Sequence, residues 1–105
     1  MHTLDGADGF TAFLSGRKAV VLFHASWCGF CRRFRPIFAA VADAAPGWEA
    51  AELALEDEDD PLWDAQGVEF VPTVIAFRDG RPLGRLDARP GEGLTEADLR
   101  AFLAR

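Results

Sequence analysis

Both cysteines of this chain sit in Trp27-Cys28-Gly29-Phe30-Cys31, directly after the apolar run Ala19-Val20-Val21-Leu22-Phe23 and directly before a stretch that reads as helix. Thiols spaced i, i+3 in the first turn of a helix share a face, within the roughly 7 Å Cα separation that a disulfide bridges. The unpaired N–H groups at a helix start, with the positive end of its dipole, favour a thiolate on the first of them, Cys28. The pair is a candidate redox switch. Zinc binding is the rival use of paired thiols, but a tetrahedral site asks for a second Cys or His pair and none accompanies this one. Neither a metal nor a cofactor is expected.

The rest of the composition limits what such a switch serves. At 105 residues the chain reads as one domain, 1–105, large enough to bury a core without metals or structural disulfides. Its residues are 50% apolar and 27% charged, which excludes a disordered chain. The formal charge of −6 and the acidic run Glu56-Asp57-Glu58-Asp59-Asp60 argue against nucleic acid and anionic membranes as partners. Met1 to Gly6 has neither the basic nor the apolar region of a signal peptide, and no apolar run reaches transmembrane length. A cytoplasmic, monomeric protein is the expectation. In a reducing compartment a lone Cys-x-x-Cys is more often redox-active or metal-binding than a structural staple.

Helical and strand-like segments alternate around the cysteines. Asp8 to Leu14 places Phe10, Phe13 and Leu14 at helical spacing and stops at Gly16. Ala19 to Phe23 reads as an interior strand covered on both faces. From Cys28 to about Ala45, Cys31, Phe34, Phe38, Val41 and Ala42 fall on one helical face, Arg32, Arg33 and Arg35 are directed mostly away from it, and Pro36 introduces a kink. Trp48 to Leu55 is a second strand, and Leu62 to Gln66 a short helix ended by Gly67. Thr73 to Arg78 and Pro82 to Leu86 are strands joined by the hairpin signal Asp79-Gly80. A last helix opens with Thr95 as N-cap, Asp98 closing an approximate capping box, and Leu94 with Leu99 as a hydrophobic staple. A β-α-β unit, a hairpin and a closing helix assemble into a three-layer α/β/α sandwich with a central mixed β-sheet.

Ala25-Ser26-Trp27-Cys28-Gly29-Phe30-Cys31, Pro36 in the following helix, Val71-Pro72-Thr73 and Phe77-Arg78-Asp79-Gly80 together resemble the thioredoxin family, over nearly the whole chain. The resemblance implies a thioredoxin-like fold, a cis peptide bond before Pro72 in a loop facing the cysteines, and reduction of protein disulfides. In that chemistry Cys28, the better exposed, attacks as thiolate and Cys31, one turn deeper, resolves the mixed disulfide. Trp27, Gly29, Phe30, Val71, Pro72 and Thr73 would surround the substrate, with backbone groups of Val71 and Thr73 pairing an extended segment in β fashion. Disulfide-containing proteins are the implied substrates, and a thioredoxin-reductase-like flavoprotein or another dithiol protein the electron donor. An isomerase or oxidant, or a binding module without turnover, remain the alternatives.

This chain also departs from the family. Leu22 stands where thioredoxins commonly bury an Asp that moves a proton on and off the deeper cysteine, and Glu52-Leu53-Ala54-Leu55 lacks that group's lysine partner. Proton transfer to Cys31 is left to water or to a carboxylate such as Glu52, so resolution should be slower. Phe30 occupies the place of thioredoxin's proline, which adds no charge and loosens the turn. The expected potential lies modestly above the roughly −270 mV of thioredoxin. His24 reads as a packed strand residue, Trp27 as a flat wall beside the sulfur, Trp48 and Trp63 as core or groove fillers, and the acidic run as a solvated loop.

Overall fold

The computed structural model describes residues 1–104. Its elements are β1 (His2–Leu4), α1 (Gly6–Leu14), β2 (Lys18–His24), α2 (Gly29–Ala42), β3 (Glu49–Ala54), α3 (Leu62–Ala65), β4 (Thr73–Arg78), β5 (Arg81–Asp87) and α4 (Glu96–Leu103). One sheet of order β1-β3-β2-β4-β5 carries them. β3 runs parallel to both β1 and β2, whereas β4 is antiparallel to β2 and β5 to β4.

The unbroken apolar run of β2 has a physical reason, since each of its faces has a helical layer to meet. Ala19, Val21 and Phe23 pack with Phe10, Phe13 and Leu14 of α1 and Leu62 of α3. Val20 and Leu22 pack with Phe34, Phe38 and Val41 of α2 and with Leu99 and Phe102 of α4. A strand at the centre of a sheet covered on both sides gains nothing from a polar alternate residue.

The turns follow their residues. Asp79 and Gly80 have φ of 48° and 83°, the two left-handed positions of a primed hairpin turn. The Asp79 carboxylate accepts the Gly16 N–H at 2.8 Å, fastening the end of α1 to that hairpin. Pro82 is accommodated because β5 is an edge strand, and the pairing shifts register beside Ala76 and Phe77. At α4 the capping box is complete: Asp98 N–H donates to Thr95 Oγ1 at 3.1 Å, and Thr95 N–H to Asp98 Oδ2 at 3.0 Å. Leu94 and Leu99 are both buried in the layer beneath.

Three differences from the sequence reading have identifiable causes. α2 begins at Gly29 with Cys28 as its N-cap, because the cysteine backbone is extended (φ −98°, ψ 114°), and it ends at Ala42 rather than near Ala45. The edge strand β1 was not anticipated; three residues pairing with Ala51, Glu52 and Leu53 carry no readable alternation. Arg35 does not point away into solvent but reaches Glu52 of β3.

Candidate active site

The site is built where β2 gives way to α2, and that short connection is fastened at several points. The Glu56 carboxylate accepts the Ser26 N–H at 2.8 Å and the Ser26 hydroxyl at 2.6 Å. These two bonds hold the Glu56 carboxyl below its ordinary value. The Trp27 indole N–H donates to the Glu56 carbonyl at 3.3 Å, and Arg32 donates to the Ser26 carbonyl at 2.9 Å. The acidic run is thus structural as well as solvated: Glu56 is exposed yet holds Ser26, the Asp57 carboxylate accepts the Asp59 N–H at 2.9 Å and the Asp60 carboxylate the Leu62 N–H at 2.9 Å.

Both thiols are free. Cys28 Sγ accepts the Cys31 N–H at 3.2 Å, the capping bond of α2, and its thiol donates to the Val71 carbonyl at 3.4 Å. Cys28 is 8% exposed and Cys31 fully enclosed, so the expected order holds, although the outer thiol is itself buried rather than open. Burial, and then the hydrogen bond shared with Cys28, push the Cys31 thiol up to about 12; a hydrogen bond with the Ala25 backbone and, least, the Arg35 charge act in the opposite direction.

The Val71–Pro72 peptide bond is cis. The Val71 carbonyl lies opposite Cys28, followed by the buried Pro72, and the exposed aromatics Trp27 and Phe70 directly precede Cys28 and Val71 in sequence. The Thr73 side chain is completely enclosed, its residue in register with Phe23 and Asp87, and its hydroxyl donates to the Phe70 carbonyl at 2.6 Å, which fixes the loop; any role toward a substrate falls to its backbone. Gly29 is exposed and Phe30 half-buried. The Phe30 ring lies so close to Gly93 that a Cβ there would meet its Cδ1 at 2.9 Å, and the Arg33 guanidinium sits 5.4 Å from the ring centre. Gly93, at φ 73°, is the residue that lets the 87–93 loop approach the active site.

Behind Cys31 lies an arrangement the residue pattern did not disclose. Glu52, 7% exposed, is paired in register with Leu22 and accepts from Arg35 Nε at 3.2 Å and Nη2 at 2.8 Å. That bidentate partner holds the Glu52 carboxyl below its ordinary value and makes it a weak base. His24 is packed in the strand, as expected, and burial lowers its imidazole, while Nδ1 has no hydrogen-bond partner among the described residues. Trp48 packs in the α2–α4 layer beneath the Lys18 ammonium, 4.4 Å from its ring, and the Trp63 indole donates to the Asp57 carbonyl at 2.9 Å. Phe70 was also missed, its only signal being an aromatic directly before Val71-Pro72.

Paired free thiols at a helix start, on a mixed sheet between two helical layers, define a dithiol-exchange protein. The family profile "Thioredoxin" matches residues 3–105. A thioredoxin of Mycoplasmoides gallisepticum is 34% identical over 80 residues, covering 76% of this chain and 79% of that protein. One from Alicyclobacillus acidocaldarius is 30% identical over 97 residues, 92% of each. The crystal structure of Fasciola hepatica thioredoxin superposes with a TM-score of 0.84 at 30% identity, covering 100% of this chain and 98% of that one. The chain belongs to the thioredoxin family. It has the thioredoxin fold and is a thiol-disulfide oxidoreductase acting as a protein-disulfide reductase. Among the described residues no helix is long and apolar enough to cross a membrane.

Proposed function

We propose that Cys28 is the attacking thiol and Cys31 the resolving thiol of this reductase, in a cytoplasmic, monomeric, single-domain protein re-reduced by a thioredoxin-reductase-like flavoprotein or another dithiol donor. The observation that carries the assignment is the asymmetry of the pair. Cys28 Sγ faces the Val71 carbonyl at the protein edge, whereas Cys31 is fully enclosed behind it. The Cys28 thiolate attacks one sulfur of a substrate disulfide, forming a mixed disulfide and expelling the other substrate sulfur as thiolate, which takes a proton from water. Cys31 then gives up its proton and attacks Cys28 Sγ, so that the Cys28–Cys31 bond forms as the remaining substrate thiolate leaves. Two electrons pass to the substrate without a cofactor.

Trp27, Gly29, Phe30, Val71 and Pro72 form the substrate-facing surface in this reading, supported by Thr73 from beneath. When Cys28 enters the mixed disulfide it loses its S–H, and the Val71 carbonyl loses the donor it now has. That acceptor is then open to an N–H of an extended substrate segment. The decisive experiment is a Cys31→Ser variant mixed with a disulfide-bonded protein such as insulin. A stable mixed disulfide through Cys28 is expected; a Cys28→Ser variant that traps substrate equally well would reverse the roles. Insulin reduction in the native protein, absent when both cysteines are serine, separates the enzyme from a binding module.

A further inference from the structure

The resolving thiol has to ionise in a place that opposes its ionisation. Cys31 is fully enclosed, and Leu22 of β2, which packs in the layer beneath α2, offers no acid or base. The charged and titratable groups around this end of the sheet are His24 of β2, Cys28 capping α2, Arg35 of α2, Glu52 of β3 and Glu56 beyond it. Arg35 stands four residues after Cys31 on the same helix. Side chains on a helix lean toward its N-terminus, so a residue at i+4 covers the turn of residue i. Glu52 closes the arrangement by holding the guanidinium with two hydrogen bonds, at 3.2 and 2.8 Å, from β3, a different element from the helix that carries Arg35. Neither partner exchanges protons near neutral pH, since the arginine stays charged and the carboxylate is held ionised by it.

We infer that Arg35, fixed in place by Glu52, is the positioned cation that stabilises the Cys31 thiolate in the resolving step, supplying by charge what a buried proton carrier would supply by transfer. The Cys31 proton leaves to water, the Cys31 electron pair forms the bond to Cys28 Sγ, and the substrate sulfur departs with the pair from the broken bond. The mutual influence of the two groups agrees with this: the Arg35 charge lowers the Cys31 thiol against its burial, and Cys31 raises Arg35. The influence of Arg35 on the resting thiol is the least of those acting there, and it gains weight once Cys31 carries a full negative charge, because an opposite charge favours the ionised form. Arg35 is thus a positioning residue, acting through Cys31 and not on the substrate.

This inference rests on Cys31 being the resolving thiol, and the test separates the two. Cys28 is loaded as a mixed disulfide with a small chromogenic thiol, and release of that thiol is followed in single turnovers across pH. Arg35→Met, which keeps the apolar stem, should release about tenfold more slowly at neutral pH, with its rate profile displaced upward by about one pH unit. The double variant Arg35→Met with Glu52→Gln, which leaves no carboxylate stranded, should behave likewise, and Arg35→Lys should recover much of the rate. Profiles of Arg35→Met and the double variant that coincide with the native protein would overturn the role of Arg35. Release from a Cys31→Ser variant at the native rate would instead overturn the assignment of Cys31 itself.

Discussion

The two sides of the Cys28–Cys31 pair are built on opposite principles. On the outer side Trp27 and Phe70 are 59% and 61% exposed, and the contacts that hold them are few: an indole bond to the Glu56 carbonyl and the loop closed by Thr73. On the inner side Cys31, Leu22, Phe34 and Phe38 are almost wholly enclosed, and the charged groups reaching that region, Arg35 and Glu52, are bonded to each other. Apolar surface left open to water is available for contact with another protein. The Arg35 side chain is still partly exposed, so its charge reaches the buried thiol only because Glu52 fixes where it lies. The difference teaches that recognition and resolution are separable here: the outer side can change with little consequence for folding, whereas the inner side cannot change without affecting stability and chemistry together.

The largest effect should come at the boundary between the two sides. Cys28→Ser is expected to lower insulin reduction with dithiothreitol as donor by at least about 10³-fold, because Cys28 is the thiol that meets the Val71 loop and Cys31 is fully enclosed. A residual rate of a tenth would place the attacking sulfur elsewhere. Next comes the inner layer, where Phe38→Ala removes a fully enclosed ring packed 6.3 Å from the ring of Phe34. Loss of transfer energy plus the remaining cavity should cost about 3–5 kcal/mol in denaturant unfolding. A cost under 1 kcal/mol would mean that the inner side is as tolerant as the outer.

Glu52→Gln probes the inner side at its charged edge. It removes the carboxylate that satisfies two Arg35 donors and should cost about 1–3 kcal/mol at neutral pH. The pH dependence has a definite sign. Arg35 first, through its hydrogen bonds, and then its charge keep the folded-state Glu52 carboxyl below the ordinary 4.5, against the opposing effect of burial. The stability gained is therefore present above the unfolded value of about 4.5 and is lost as pH falls through the lower folded-state value. Below about pH 4.5 the native protein should lose stability more steeply than the Glu52→Gln variant. Parallel acid-unfolding curves would show that the pair contributes nothing to folding.

The same contrast explains what could be read from the sequence. The central strand, the Asp79-Gly80 turn and the Thr95–Asp98 capping box were legible because each depends on residues adjacent in the chain: an apolar run, two left-handed positions, an N-cap and its N3 partner. Cys28 and Cys31 were legible for the same reason. Glu52 was legible as a carboxylate near Cys31, but its pairing with Arg35 was not, because an arginine on a helix reads as solvent-facing until the strand carrying its partner is known to lie beside it, seventeen positions away. Position β1 escaped notice because three edge residues display no periodicity, although it brings Leu4 opposite Leu53. The burial of the Thr73 side chain was not legible either, since a residue beside Pro72 gives no sign that strands carrying Phe23 and Asp87 will pair on both sides of it.

The smallest expected effect lies on the outer side. Phe70 directly precedes the Val71 carbonyl and is mostly exposed, so truncating it removes apolar surface that only a docked substrate would cover. A contact of some 40 Å² is worth about 1 kcal/mol, or about a fivefold change in affinity. Phe70→Ala should therefore raise the KM for insulin about fivefold with kcat nearly unchanged, while stability stays within about 0.5 kcal/mol of the native protein. A small aromatic disulfide, which has no chain to lie across Phe70, should be reduced at the native rate. If both substrates were affected equally, Phe70 would be shaping the loop around Cys28 rather than the surface beyond it, and the outer side would no longer be independent of the inner one.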